Sequence, residues 1–166
     1  MDRVAKHRDI VALHKDIKRF HKGINGFCRF NYDELADQFR NGVATPALAL
    51  SSHSAALEIN PNGSTTFNAK DISFLLVDYT GKPDEYDKQE VVLDALEDIA
   101  LDIATYLEKL SKDPSHWLYG LFDRKSFKYE KVGPLWDSMY GWNVMYQLKN
   151  KESMVLDPER WDFNAI

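Results

Sequence analysis

At 166 residues, 44% of them hydrophobic and 28% charged, the chain has the size and composition of one globular domain. Such a domain buries about 70% of its extended-chain surface and needs neither disulfide nor metal to hold its core. A net charge of −5 without a basic stripe argues against a general nucleic-acid binder, and no run approaches the roughly twenty apolar residues of a membrane helix. The lone Cys28 and a first segment that is basic rather than apolar predict a soluble protein made and kept in a reducing cytoplasm.

The charge is divided along the chain. Residues 1–23 hold seven Lys and Arg against three Asp, whereas residues 71–110 hold eleven Asp and Glu against three Lys. Ile10, Leu13, Ile17 and Phe20 recur at helical spacing before Gly23 and Gly26, which predicts an amphipathic helix over residues 3–22. His7, His14 and His21 stack along one side of it. Seven residues rise about 10.5 Å along a helix, too far for neighbours to share one ion at ligand bonds near ~2 Å. The series therefore reads as a partly solvated histidine edge, and no metal is expected.

Residues 32–42, YDELADQFRNG, predict a short helix capped by Asp33 and ended by Gly42. Ala47–Ile59 and the apolar run Asp71–Tyr79 flank the turn signal NPNGS and predict two antiparallel strands, the second buried centrally. Asp87 and Glu90 suggest a capping box ahead of the main helix, over 88–110. Its apolar stripe is Val91, Val92, Ala95, Leu96, Ile99, Ile103, Leu107 and Leu110. The opposite side carries Glu90, Asp94, Asp98 and Asp102. Carboxylates that perform acid–base chemistry need burial and partners, so this stripe reads as a solvated or partner-facing surface.

After Pro114, HWLYGLFD predicts a turn of helix or an irregular apolar plug, KSFKYEKV a third strand and GPLWD a loop. Tyr140, Trp142, Val144, Tyr146 and Leu148 then alternate with Gly141, Asn143, Met145, Gln147 and Lys149. Period two of this kind marks a strand with one buried side. The elements together predict an α+β domain over 1–150, an antiparallel sheet of about four strands with a long amphipathic helix packed on one face and an N-terminal helix. Residues 151–166 follow as a C-terminal extension or arm.

The acidic helix 88–110 followed by DSMYGWNVMYQL resembles the tail-terminator and head–tail joining (neck) proteins of tailed bacteriophages, in size, element order and last-strand pattern. The resemblance implies a non-enzymatic virion structural protein that assembles with itself as a ring, usually a hexamer. It implies further partners in tail-tube and neck or connector proteins, DNA that passes without specific binding, and no cofactor, metal or membrane. Localisation would be the virion, and the host cytoplasm during assembly. In such a ring Glu90, Asp94, Asp98 and Asp102 would face the channel and repel phosphates. Leu156, Trp161 and Phe163 would serve as interface anchors.

Two other readings stand beside this one. A small cytoplasmic α+β ligand-binding module of bacterial origin would line a pocket with Trp117, Trp136 and Tyr140. A hydrolase would set His53, in SSHS, beside a serine and an aspartate. Ring assembly separates the first reading from these two.

Overall fold

The computed structural model describes residues 3–30 and 42–163. In chain order the elements are α1 (His7–Phe20), β1 (Gly26–Phe30), β2 (Ala47–Ser51), β3 (Ser54–Ile59), β4 (Thr66–Tyr79), α2 (Tyr86–Ser111), β5 (Phe122–Leu135) and β6 (Met139–Lys151). Single 3₁₀ turns lie at Trp136–Ser138 and Pro158–Arg160. The segment 32–42, expected to be a short helix, lies outside the described residues save for Gly42.

The architecture is α+β, with six strands in one sheet of order β1-β2-β4-β6-β5 and β3 paired to β4. The expectation of about four antiparallel strands is corrected on two counts. β1, only five residues long, runs parallel to β2. Ala47–Ile59, which reads as one strand, divides at Ser52 and His53. Leu50 pairs with Phe74 and Ser54 with Asp71, an advance of four residues against three. That is a β-bulge with one extra residue, which bends the strand and re-aims its side chains. Before it β2 is almost wholly buried; after it every residue of β3 is exposed.

β4 and β6 pair without interruption from Tyr79↔Met139 to Phe67↔Lys151. Period two then sorts the side chains: Ile72, Phe74 and Leu76 share one core with Val144, Tyr146 and Leu148. Both described helices cover that face, α1 through Ile10, Leu13 and Ile17 and α2 through Leu96, Ile99, Ile103 and Leu107. Each large apolar side chain taken from water there contributes about 1.5–3 kcal/mol. Trp142 sits at the edge of this layer, where its Nε1–H donates to the Leu93 carbonyl at 2.9 Å. A smaller cluster lies on the other face, formed by Cys28, Ala47, Ala49, Leu75, Val77 and Met139, with Leu135 and Trp136 against it.

α2 starts at Tyr86, earlier than a capping box of Asp87 and Glu90 would place it, and that expectation is corrected. The N-cap is Glu85, whose carboxylate turns back to accept from the Lys82 N–H at 2.8 Å and the Lys88 ammonium at 2.7 Å. The buried stripe runs through Gln89, Leu93, Leu96, Ile99, Ala100, Ile103 and Leu107. Val91, 69% exposed, and Ala95 lie outside it. Between α2 and β5 the chain makes turns that place Leu118, fully buried, under the end of the helix as an apolar plug. GPLWD is not a loop: Gly133–Leu135 completes β5 and Trp136 opens the 3₁₀ turn.

Candidate functional site

β6 ends at Lys151, and the chain then leaves the core. Its first step is fastened: the Glu152 N–H donates to the Thr66 carbonyl at 2.9 Å, and its carboxylate accepts from Arg3 Nε at 3.1 Å. Farther on, Asp157 Oδ1 accepts from the Glu159 N–H at 3.2 Å and Oδ2 from Arg160 at 2.9 Å, giving the Pro158–Arg160 turn local order. The three residues singled out as anchors are all open to solvent, Leu156 at 56%, Trp161 at 59% and Phe163 at 68%. The Trp161 and Phe163 rings stack with centroids 6.1 Å apart and planes 8° from parallel. Leu57 of β3 lines the same open groove, of about 470 Å³, as Leu156 and Trp161. This contribution of β3 was not legible in the sequence, because SAALEI alternates like a half-buried strand.

Glu90, Asp94, Asp98 and Asp102 are exposed along α2. Asp102 accepts from His21 Nε2 at 3.2 Å, which ties this end of the stripe to the C-terminus of α1. Glu90, Asp94 and Asp98 make no ion pair among the described residues. Among the described residues, these three carboxylates give that face of α2 a negative charge.

The histidines do not form one solvated edge, and that expectation is corrected. His14 is fully buried. Its Nδ1 lies 2.7 Å from the Ile10 carbonyl, which can only accept, so Nδ1 carries the proton and Nε2 accepts from the Tyr146 hydroxyl at 3.1 Å. Burial pushes the His14 pKa down to about 4, opposed by the hydrogen bond to Ile10. His7 instead takes a hydrogen bond from Arg29 Nη2 at 2.9 Å and stacks on His53, centroids 5.3 Å apart. No three His, Cys, Asp or Glu side chains among the described residues gather as metal ligands would.

The sheet face turned away from the helices carries an open polar groove of about 740 Å³, lined by His53, Asp71, Ser73, Ser126, Lys128 and Gln147 among others. β5 opens it by breaking register between Asp123 and Lys128. Ser126 spans that break, its hydroxyl donating to the Asp123 carbonyl and accepting from the Gln147 N–H at 2.7 Å. Gln147 Nε2–H in turn donates to Asp71 Oδ1 at 2.8 Å. No hydrogen bond joins His53 to a serine or a carboxylate among the described residues. Among the described residues, Trp117 and Trp136, expected to line one pocket in a binding module, lie on different faces of the sheet. Trp117 packs against the core under the helices and Trp136 against the cluster on the other face.

No protein-family model, curated protein or solved structure matches the chain. No helix among the described residues is long and apolar enough to cross a membrane.

Proposed function

We propose that this chain is a virion structural protein of a tailed phage or prophage, a ring-forming tail terminator or head–tail joining component. The observation that carries the reading is the exposed apolar surface built by Leu57, Leu156 and Trp161, with Phe163 stacked beside them. An apolar surface of this kind outside a finished core marks a site of contact with another protein. It lies on different elements from the acidic face of α2, and contacts between unlike surfaces of identical subunits close into a ring when the rotation permits. The partners are other copies of the chain, probed first as a hexamer, together with tail-tube and neck or connector proteins. The acidic stripe faces the channel and keeps passing DNA from sticking. No catalytic residue, cofactor or metal enters this reading, and the protein resides in the host cytoplasm until it joins the virion. Co-assembly with tail-tube protein, followed by sedimentation and electron microscopy, tests it.

The polar groove favours a second reading, a small cytoplasmic ligand-binding module of bacterial origin. Ser73, Ser126, Lys128 and Gln147 would hold a small polar ligand there. This reading requires no ring.

A further inference from the structure

We propose that His7, Arg29 and His53 form a binding site for a phosphate-class dianion at the start of α1. Three separate elements bring these side chains together. His7 opens α1, Arg29 sits within β1, and His53 is carried by the bulge between β2 and β3. Without the extra residue at Ser52–His53 the strand would continue in register, and His53 would be re-aimed. The bulge is thus the structural device that sets one imidazole on the other, with planes 26° apart.

The chemistry of the cluster is rich in donors and poor in acceptors. Arg29 has no carboxylate partner among the described residues; the only acceptor it meets there is the lone pair of His7 Nε2. That lone pair exists only while the imidazole is neutral. Once His7 is protonated, Nε2–H and the guanidinium face each other as two donors, and an oxyanion oxygen between them satisfies both. The positive end of α1 adds to the field at the same place.

Among the described residues the neighbouring charges do not fill this role. From α1, Asp9 accepts from the Lys6 N–H at 2.8 Å and lies 3.9 Å from Arg8. After β6, Glu152 is held by Arg3 at 3.1 Å. From β4, the buried Lys70 gives its ammonium to the Ala5 carbonyl. Burial lowers the pKa of His53, and the charges of His7 and Lys70 lower it further. His53 therefore resists charging, and a bound anion opposes that resistance.

Protonation and anion binding are linked with a definite sign. An anion that favours the imidazolium raises the His53 pKa, so affinity rises as pH falls toward about 6. A phosphate monoester takes up its second proton near pH ~6 and inorganic phosphate does so closer to neutrality, so the affinity of either levels off as pH falls, whereas sulfate keeps both charges.

The test follows the imidazole C–H signals of the full chain by NMR at about pH 6.5, with sodium phosphate added at constant ionic strength against sodium chloride. The His7 and His53 signals should shift saturably while those of His14 and His21 stay, and the apparent His53 pKa should rise by about half a pH unit or more. Arg29→Gln and His53→Gln should each weaken phosphate binding about tenfold, and Arg29→Lys should retain part of it. A nucleoside monophosphate competing at the same signals identifies the ligand as a phosphate ester; competition by inorganic phosphate alone identifies the free ion. Shifts reproduced by chloride, or unchanged by both Arg29→Gln and His53→Gln, would overturn the proposal.

Discussion

The Tyr146 hydroxyl donates to His14 Nε2 at 3.1 Å, joining β6 to α1 through the middle of the core. The pair makes folding depend on pH. His14 has its pKa lowered from 6.5 to about 4 in the folded chain. Its contribution is complete above the unfolded value and is lost as pH falls through that window, because only the unfolded chain takes up the proton there. The whole effect is about 3 kcal/mol. His14→Gln should flatten the pH dependence of the denaturant midpoint across the same window. Tyr146→Phe leaves Nε2 without a donor and should cost about 1–3 kcal/mol near neutral pH.

The phase of α2 on the sheet is tested by a pair of substitutions. Ile103, 1% exposed, faces the sheet, whereas Val91, 69% exposed, faces solvent. Ile103→Ala should destabilise by about 2–5 kcal/mol, and Ile99→Ala should fall in the same range. Val91→Ala should stay within about 0.5 kcal/mol. Equal effects in urea unfolding would mean that the helix is rotated from the orientation described.

Gly141 stands in β6 directly against β4, opposite Val77. A Cβ at this position would collide with the Leu76 carbonyl oxygen, and the surrounding atoms are backbone, which cannot move aside. Gly141→Ala should therefore cost about 3 kcal/mol or more, at the upper end for overpacking. Thermal unfolding of this variant beside Gly63→Ala separates crowding from backbone strain, since nothing lies within 4 Å of a Cβ at Gly63.

The parts of the fold legible in the sequence are those where one periodicity runs long enough to leave a single solution. Val144, Tyr146 and Leu148 alternate inward, and Leu96, Ile99, Ile103 and Leu107 follow the helical repeat, as read from the residues. The parts that escaped depend on partners distant in sequence. GFCRF is too short to reveal a strand, and nothing local says that it pairs parallel to β2. SSHS contains no glycine to advertise a bulge, so the exposure of β3 and the meeting of His53 with His7 were hidden together. The burial of His14 was hidden because an isolated histidine on a helix carries no mark of the tyrosine that will satisfy it. The C-terminal anchors were readable as aromatic residues beyond the last strand, but the groove they share with Leu57 follows only from the sheet.

Neutralising Glu90, Asp94, Asp98 and Asp102 to their amides should leave the fold intact, since all four are exposed. If the stripe faces a DNA channel, the variant ring should retain DNA more strongly at low salt, where phosphate attraction is greatest. Retention measured by filter binding across a salt series, unchanged from the parent protein, would remove the stripe from the channel.

Sedimentation and electron microscopy of the purified protein mixed with tail-tube protein test ring assembly directly. Ring-capped tubes of limited length are expected for the parent chain. Truncation after Lys151 and Trp161→Ala should each weaken capping, and Trp161→Ala should leave the melting temperature nearly unchanged, because Trp161 is outside the core and an aromatic anchor carries about 2 kcal/mol or more of a contact. A protein that remains monomeric in that mixture, and neither caps the tubes nor limits their length, would contradict the tail-terminator reading and leave the polar groove as the functional site.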